Sequence, residues 1–493
     1  MGQSKCSQNK NSSLTQSVIA IDQGTFSSRV MVFSIDGSCL FRAQKSIDLK
    51  RIDTQRVEQN SSEILQSVKF TLNQAIEFCQ SENIEILSAG LATQRSSIVA
   101  WQPSTGQPVS AVLSWQDTRA ANWLKPFETR QEFIQRRSGL RLSAHYGVSK
   151  MHWLMKNSPA VQQAMQHSDC VITPLASFLM FHLLQNKPIL IDSVNASRSL
   201  LCNLLKHSWD EELLELFQIP PAILPACRPV QYNFGKLTSS NIELRAVNGD
   251  QNSALFSQGE PDQQSLRVNL GTGAFILAPL SMEQITSVAF EHSGLLAGIS
   301  GGDNALTAYS IEGTVNGAGA ALDWLQQPFD TIDPQSINQQ DLFHTRPAIF
   351  INTIGALGSP FWRSDIKAYF LDDFEAGLNP LEALAGVLES IVFLLQINHL
   401  AIRRVKCGFH SIVIGGGLSQ SNYLCQKLAN LSALSVQRPS HSEATARGIA
   451  WLALEDVSRW ESLPIEKVFE PVSDINLRHR FERFCAELPK VPG

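Results

Sequence analysis

A glycine turn between two apolar strands occurs near the start of each half of the chain, and this repeated unit constrains the fold most. Residues 18–33 form an apolar run, a turn containing Gly24 and a second apolar run. Residues 266–277 repeat the unit, with Gly271 and Gly273 in the turn. Short apolar runs bounded by turn residues predict buried strands. Because a duplicated domain leaves such repetition, the pattern predicts two related α/β units.

The segments after the first unit extend the prediction to a mixed sheet. Asp36-Gly37 is a hairpin signal that leads into a third strand at Cys39. Asn60 is a good helix N-cap, and apolar residues then follow at helical spacing over residues 64–76. Residues 86–92 predict a further strand. The order strand, strand, strand, helix, strand indicates an α/β domain with a mixed sheet.

The second half carries the same kinds of element in a similar order. Residues 384–395 predict a buried helix, and residues 411–414 predict a strand that runs into three glycines. Residues 444–454 predict a helix rich in small side chains. We therefore predict a disordered tail at 1–17, a first domain at 18–252 and a second domain at 253–493.

Composition excludes several classes of protein. The 493 residues include 40 Lys and Arg against 45 Asp and Glu, a net charge of −5. This charge argues against nucleic acid or an anionic membrane as the main partner, while a homo-oligomer is compatible with it. No apolar run reaches the ~18 residues that a membrane span needs. The polar N-terminus lacks the apolar core of a secretory signal.

The nine cysteines are odd in number and widely spaced, with no C-x-x-C pair. This arrangement favours reduced thiols over a disulfide framework or a zinc site. We therefore expect a cytoplasmic protein.

The first turn carries residue types suited to phosphate. Its glycine allows backbone N–H groups to approach an anion. Asp22, at the end of a predicted buried strand, is suited to hydrated Mg²⁺, which prefers carboxylate and water ligands. Hydroxyl and guanidinium donors follow in Thr25, Ser27, Ser28 and Arg29. The alternative interpretation is an ordinary hairpin whose Asp and Ser residues only cap the turn.

Two later glycine turns and one carboxylate complete the candidate site. The second turn has the same phosphate-binding features as the first, with a hydroxyl between two glycines in Gly271, Thr272 and Gly273. Three glycines also follow a predicted strand at residues 415–417. Together they suggest a nucleotide held between two domains, although the chain has no P-loop motif. Asp250, between Gly249 and Gln251, is a candidate general base or an ordinary turn residue.

Several segments resemble, in the same order, those of the FGGY carbohydrate kinases. The similarity runs from about residue 18 to residue 454 and is strongest to the members that phosphorylate glycerol. The segments are VIAIDQGTFSSRVMVFSIDG, GLATQRSSIVAWQPSTGQPVSAVLSWQDTRA, SKMHWLM, DSVNASRSLLCNLLKHSWD, VNGDQNSALFSQG, VNLGTGAFIL, SIEGTVNGAGAALDWLQ, GALGSPFW and VIGGGLSQSNYL.

The resemblance implies an α/β fold of two actin-like (RNase H-like) ATPase domains that flank a catalytic cleft. It implies ATP and Mg²⁺ as cofactors and a small polyol or sugar as acceptor. Asp250 would take the hydroxyl proton, and Asp22 would orient Mg²⁺ through water. The positions that match acceptor contacts are Arg95, Ser96, Trp115, His145 and Gln251. Those that match nucleotide contacts are Thr25, Phe26, Ser27, Ser28, Arg29, Thr272, Gly319, Asp323, Gly417 and Ser421.

Several matched positions depart from the pattern of the glycerol-phosphorylating members. Ser96 replaces a glutamate that accepts hydrogen bonds from polyol hydroxyls. His145 replaces a tyrosine, with Tyr146 beside it, so a one-residue shift is an alternative. Further departures are Phe26 in the first turn, Asp323 and Ser421 on the adenosine side, and Asp372, where glycine is expected.

The sequence therefore predicts ATP-dependent phosphorylation of a small polyol, with glycerol as the first acceptor to test. One alternative is a kinase of a longer polyol or a ketose. The other is an actin-like nucleotide-binding regulator without sugar kinase activity. Lys150 is either structural or part of the acceptor cleft, and its residue type does not decide between these roles.

Overall fold

The computed structural model describes residues 15–490 except 239, 288–289, 302–307, 327–338, 372–376, 378 and 441–442. Asp372 and residues 1–14 of the predicted tail lie outside the described residues. The first strand begins at Gln16, two residues before the predicted start of order at Val18.

The first half contains fifteen strands and nine α-helices among the described residues. The strands are β1 (Gln16–Gln23), β2 (Ser27–Ser34), β3 (Cys39–Ser46), β4 (Lys50–Arg51), β5 (Val57–Gln59), β6 (Glu85–Thr93), β7 (Ile98–Trp101), β8 (Val112–Leu113), β9 (Val171–Pro174), β10 (Leu190–Asp192), β11 (Cys202–Asn203), β12 (Ser208–Trp209), β13 (Ala226–Arg228), β14 (Gln231–Lys236) and β15 (Glu243–Gly249). The helices are α1 (Ser61–Ser81), α2 (Ala121–Leu124), α3 (Gln131–Ser138), α4 (Gly147–Asn157), α5 (Pro159–Gln166), α6 (Leu175–Leu183), α7 (Ser193–Ser197), α8 (Glu211–Phe217) and α9 (Asp250–Ala254), with 3₁₀ turns at Lys125–Arg130 and Pro221–Ile223.

The second half contributes nine further strands and seven α-helices to the described part of the chain. The strands are β16 (Ser265–Leu270), β17 (Ala274–Leu280), β18 (Leu296–Ile299), β19 (Tyr309–Val315), β20 (Phe350–Ile351), β21 (Tyr369–Phe370), β22 (Ser411–Gly415), β23 (Ser435–Pro439) and β24 (Ile465–Phe469). The helices are α10 (Met282–Ser287), α11 (Gly319–Gln326), α12 (Gln339–His344), α13 (Pro380–Val405), α14 (Asn422–Ser432), α15 (Ala444–Ala453) and α16 (Ile475–Ala486), with 3₁₀ turns at Phe290–His292 and Gly417–Gln420.

Each half is built on a sheet of the same design. The first sheet has the order β14-β15-β6-β1-β2-β3, and the second has the order β18-β19-β17-β16-β22-β23-β24. In both, the strands on either side of the glycine turn pair antiparallel, and the strand before the turn then pairs in parallel with a later strand. The repeat predicted from the two turns is therefore confirmed, as is the mixed α/β fold class.

The predicted first helix forms for the expected local reasons. Asn60 caps α1, and its side chain accepts hydrogen bonds from the backbone N–H groups of Ser62 and Glu63. Ile64, Val68 and other apolar side chains on one face of α1 are buried against the first sheet. Such burial contributes most of the stability of a helix in a folded protein.

Among the residues that the structure describes, one helix, α13, is long and apolar enough to cross a membrane by length and composition. The prediction from sequence had found no run of that kind, because Gln396, Asn398 and His399 interrupt the apolar residues. Within the most apolar 18-residue stretch of α13, 83% of the residues are buried inside the protein. Its apolar surface is therefore packed in the core of the second half.

Helix α15, near the end of the chain, packs on the first sheet. It contacts β1, β6 and β15, and it crosses α9 closely. At Gly448 a Cβ atom would lie 1.8 Å from the carbonyl oxygen of Ser253, and at Gly90 it would lie 2.5 Å from that of Ile449. These two glycines therefore allow the crossing that joins the two halves.

Candidate active site

The candidate site lies at one edge of the first sheet, where β1 and β15, the two strands that pair in parallel with β6, both end. Asp22 lies opposite Ala92 at the end of β1, and Gly249 lies opposite Thr93 at the end of β15. Asp250 follows directly as the first residue of α9. The strand register therefore brings the two carboxylates predicted to serve metal and base together, and each influences the other electrostatically.

The carboxylate of Asp22 is buried in a network of charges. Arg29 Nη2 lies 2.6 Å from Asp22 Oδ2, and Arg29 Nη1 lies 2.5 Å from Glu443 Oε2. Glu443 also pairs with Arg42 at 2.9 Å. Burial raises the pKa of Asp22 to about 6, although Arg29 opposes this shift. The network links the first turn to the N-terminus of α15.

Asp250 lies at the cleft with 30% of its side chain exposed. The backbone N–H of Gln251 donates to Asp250 Oδ1 at 2.7 Å, and Arg95 Nε lies 3.7 Å from the same oxygen. Burial raises the pKa of Asp250, and Arg95 opposes the rise. A partly exposed carboxylate with a raised pKa can accept a proton from a hydroxyl group.

Arg95 is buried behind Asp250 and is fixed by two amide side chains. Its Nη1 donates to Asn252 Oδ1 at 2.8 Å, and its Nη2 donates to Gln251 Oε1. Gly249 makes room for it, since a Cβ atom there would lie 2.6 Å from Arg95 Cδ. Burial and the neighbouring Arg198 lower the pKa of Arg95 to about 10. The structure therefore brings Arg95, Asp250 and Gln251 together as predicted.

Aromatic rings form a wall beside this group. Trp115 Nε1 donates to Thr25 Oγ1 at 2.9 Å, and the rings of Trp115 and His145 meet edge to face with centroids 5.5 Å apart. The ring of Tyr146 lies edge to face against that of His145, with centroids 5.2 Å apart, and burial raises the pKa of Tyr146 to about 12 although Arg198 opposes the rise. His145 therefore contacts both Trp115 and Tyr146, and His145 in place of the family's tyrosine and the one-residue shift to Tyr146 both stay predictions.

Ser96 occupies a strained and buried position. The backbone φ of Ser96 is +63°, and only 2% of the residue's surface is exposed. Its Oγ donates to the carbonyl oxygen of Arg198 at 3.2 Å. The hydroxyl therefore bonds backbone, and no carboxylate stands at this position. A different carboxylate lies in this region, because Arg198 Nη2 pairs with the buried Glu312 of β19 at 2.9 Å.

Glu312 is charged at neutral pH in this setting. Burial opposes its ionisation, but Arg198 and Arg95 outweigh burial and hold its pKa below the usual value. The pair joins Arg198 of the first half to β19 of the second half.

The structure places one predicted phosphate contact of the first turn, Ser28, away from the cleft. Strand β2 begins at Ser27, so Ser28 points to the opposite face, is fully buried, and bonds Ser67 of α1 through the two hydroxyls at 2.7 Å. Alternate residues of a strand face opposite sides, which leaves Ser27 and Arg29 on the cleft side. Phe26 lies at the tip of the turn with 63% of it exposed.

The second turn is held by the start of α11. The N–H of Gly319 donates to the carbonyl oxygen of Gly271 at 3.0 Å, and the N–H of Ala320 donates to that of Thr272 at 3.0 Å. Thr272 is exposed at the tip. Asp323 is exposed one helical turn after Gly319, on the same face of α11. These predicted nucleotide residues therefore lie together at one edge of the second sheet.

The glycines after β22 line a cavity of about 360 Å³ between the two halves. Arg29, Gln251 and Gly417 line it together with the start of α15. Ser421 does not line it, because its side chain accepts a hydrogen bond from Leu424 N and caps α14. The nucleotide contact at Ser421 therefore stays a prediction, and Gln420 is the neighbouring residue that lines the cavity.

The donor set around Asp22 fits a hydrated divalent cation. A buried carboxylate at a strand end, next to a cleft lined by glycines, matches the carboxylate and water ligands that Mg²⁺ prefers. The cationic group already present, Arg29, also suits the charge of a phosphate. Asp22 would hold the ion, which neutralises phosphate charge when it is bound.

Sequence reasoning missed three residues that complete these networks. Glu443 pairs with Arg29, Glu312 pairs with Arg198, and Asn252 accepts from Arg95. Asn252 follows Gln251 directly, so its position next to the predicted base was a usable signal. Glu443 and Glu312 are distant in sequence from their partners, and no local pattern marks them.

Comparison with known families finds two adjoining matches. Residues 17–267 match the N-terminal domain of the FGGY family of carbohydrate kinases, and residues 266–455 match the C-terminal domain of that family.

Individual proteins give the same result. The chain is 30% identical to glycerol kinase 2 of Sulfolobus acidocaldarius over 481 residues, which cover 94% of this chain and 95% of that protein. It is also 30% identical to a glycerol kinase of Mycoplasma genitalium, with coverage of 94% and 95%. The fold matches a crystal structure of Plasmodium falciparum glycerol kinase with ADP at a TM-score of 0.86 and 23% identity, covering 96% of this chain and 97% of that one.

Proposed function

Because the chain belongs to the FGGY family of carbohydrate kinases, we propose that it transfers the γ-phosphoryl group of ATP to a hydroxyl of glycerol. The relatives named glycerol kinase support this choice of acceptor. The observation that carries the proposal is the position of Asp250 at the sheet edge that also carries Asp22, beside Arg95 and Gln251.

Asp250 acts as the general base. It takes the proton of one acceptor hydroxyl, the oxygen forms a bond to the γ-phosphorus, and ADP leaves with the electron pair of the broken bond. Its raised pKa brings it closer to the pH at which a base is both ionised and able to take a proton. Arg95 and Gln251, already linked to each other, present donors and acceptors for the other hydroxyls.

The nucleotide lies in the cleft between the halves. Ser27, Arg29 and the backbone of the first turn face the phosphates, and Thr272 approaches them from the second turn. Asp22 orients Mg²⁺ through water. The cavity beside Gly417, with Gln420 next to it, receives the adenosine side. Such a reaction depends on positioning and on neutralisation of charge.

The acceptor stands against the wall of Trp115 and His145. This wall is apolar, and it suits the carbon backbone of a small polyol while the hydroxyls face Arg95 and Gln251. Because Ser96 supplies no carboxylate, one charge-assisted hydrogen bond is missing at this position, and such bonds are about twice as strong as neutral ones. We therefore expect weaker glycerol binding than a carboxylate would give.

The reaction takes place in the cytoplasm, where ATP is available. The eight cysteines among the described residues are unpaired, as suits a reducing compartment.

A panel of acceptors in an ATP-consumption assay tests the proposal. Glycerol, longer polyols and ketoses are compared at saturating MgATP, and glycerol is expected to give the largest kcat/KM. A larger value for a ketose would replace glycerol with the first alternative. Nucleotide binding without phosphorylation of any acceptor would favour the regulator and reject the kinase reaction.

The base is tested with Asp250→Asn, which keeps the shape and removes the proton acceptor. We expect kcat to fall by at least ~10²-fold, the low end for lost acid–base help, while ATP still binds. Asp48→Asn, an exposed carboxylate outside the site, is the matched control and should keep parental kcat. Near-parental turnover by Asp250→Asn would reject the assignment.

A further inference from the structure

Lys150 is fully buried in the first turn of α4 with all three donors of its ammonium group in use. Its Nζ donates to the carbonyl oxygens of Ala144 at 3.0 Å, His145 at 2.6 Å and Tyr146 at 3.3 Å. Only 1% of Lys150 is exposed. An ammonium group has three protons, so this geometry matches its full donor capacity.

This arrangement is electrostatically costly. Lys150 lies at the N-terminus of a helix, where the helix dipole disfavours a cation. None of the ion pairs found among the described residues places a carboxylate within 4 Å of its Nζ, and burial of a cation without a direct counterion is unfavourable. Asp117, the anion that favours its charged form, is instead paired with Arg119 at 2.7 Å. Stability alone therefore does not account for a lysine here.

The three carbonyl groups belong to the segment that carries the site's aromatic wall. His145 lies edge to face against Trp115, and Tyr146 lies edge to face against His145. Trp115 itself is fixed separately, because its backbone N–H donates to Ser97 Oγ at 3.0 Å and its ring N–H donates to Thr25. On the side of residues 144–146, the Ser149 hydroxyl also lies 3.2 Å from the carbonyl oxygen of Ala144 and 3.4 Å from that of Tyr146. Lys150 is the side chain that bonds all three carbonyl oxygens at once, including that of His145.

We propose that Lys150 is a positioning residue for the acceptor, which holds the segment 144–146 so that His145 and Tyr146 complete the acceptor wall beside Trp115. This inference rests on the proposed kinase function. Lys150 touches no reacting atom in this role. It acts through the backbone of residues 144–146, and its loss should affect the acceptor side of the cleft and leave the nucleotide side intact.

Lys150→Met tests the proposal, since it keeps the length of the side chain and removes all three donors. Misplacement of a binding group by about 1 Å can cost ~10²-fold, so we expect acceptor KM to rise ~10-fold to ~10²-fold while ATP KM stays at the parental value. Lys156→Met, an exposed lysine on the same helix, is the matched control and should leave both constants unchanged. Lys150→Gln restores part of the donor set and should give an intermediate acceptor KM.

Other outcomes would overturn the proposal. They are an unchanged acceptor KM in folded Lys150→Met, an equal rise in both KM values, or a fall in kcat alone. If the parent phosphorylates no acceptor, the proposed function fails; an active parent with an unaffected variant rejects only the role of Lys150.

The parent enzyme provides a measurement that does not depend on the folding of a variant. Burial lowers the pKa of Lys150 to about 7, and the charged groups that face it are Asp117 and Arg119. The adjacent His145 has a pKa well below its usual value and is neutral in this range. Since the neutral amine has one donor fewer, acceptor KM should rise between pH 7 and 9, a range in which Asp22, with its pKa of about 6, is already mostly ionised and ATP KM should stay constant. A flat acceptor KM over this range would contradict the proposal.

Discussion

The first and second glycine turns occupy equivalent places in two sheets of the same design, yet they are held in different ways. Charged side chains flank the first turn, where Arg29 bridges Asp22 and Glu443, and backbone bonds from Gly24 to Ser27 and from Ile47 to Phe26 also hold it. The described residues of the second turn form no ion pair, and backbone bonds from Gly319 and Ala320 to Gly271 and Thr272 hold this turn.

The difference indicates a division of labour between the two halves. Transfer of a phosphoryl group moves negative charge, which ions and charged side chains neutralise best. The rest of the nucleotide needs a fixed position, which backbone N–H groups at a helix start can supply without charge. The first copy of the strand–turn–strand unit therefore faces the phosphates that react. The second copy holds the rest of the nucleotide in position.

Among variants of the two turns, removal of the charge beside the first turn should lower activity most. Asp22→Asn keeps the shape of the side chain but removes the anion that orients the metal. We expect kcat to fall by ~10²-fold, since a metal supplies several kcal/mol of charge stabilisation, and the Mg²⁺ concentration for half-maximal activity to rise. A titration of kcat with Mg²⁺ measures both. Coincident curves for the variant and the parent would remove Asp22 from the metal site.

A steric change at the second turn should have a smaller effect and a different signature. In Gly319→Ala the new Cβ atom would lie 2.9 Å from the carbonyl oxygen of Gly271, so the turn must move. We expect ATP KM to rise ~10-fold, the scale of a modest misplacement of a binding group, with the Mg²⁺ requirement unchanged.

Gly24→Ala in the first turn is the natural comparison for that variant. There the carbonyl oxygen of Ser27 would be 3.5 Å from the new Cβ, an ordinary contact. Kinetics of both variants in ATP should show the larger change for Gly319→Ala. The opposite order would show that the first turn, and not the second, sets nucleotide position by its backbone.

The smallest effects should come from the two adjacent serines of the first turn. Ser28→Ala removes the bond to Ser67 and should lower the free energy of unfolding by ~1 kcal/mol, the usual value of such a bond, with ATP KM unchanged. Ser27→Ala should raise ATP KM a few-fold and leave stability near the parent. Denaturant unfolding and ATP kinetics on both variants check this. An ATP effect at Ser28 equal to that at Ser27 would contradict the assigned strand faces.

Sequence alone predicted the parts of this fold that depend on local patterns. The two strand–turn–strand units, the helix capped by Asn60 and the strand before Gly415 all form. The order of the matched segments also identified the family correctly. These features succeed because each is specified by neighbouring residues.

Sequence reasoning reached less far where the face of a strand or a distant partner decides the outcome. Ser28 was expected at the phosphates as one of the hydroxyl donors of the first turn, whereas β2 already begins at Ser27 and directs Ser28 to the other face. The pairs Arg29–Glu443 and Arg198–Glu312 join distant segments, and only the assembled sheets bring them together.

The packing of α15 on the first sheet has a consequence for synthesis of the chain. The ribosome makes β1, β6 and β15 long before residues 444–453, so the first sheet leaves the ribosome without the helix that covers one of its faces. Domains of large proteins usually fold as units, N-terminal first. Here the apolar face of the first sheet stays uncovered until almost the whole chain has been made. The growing chain therefore exposes this apolar surface to chaperones for longer than a chain of two independently folding domains would.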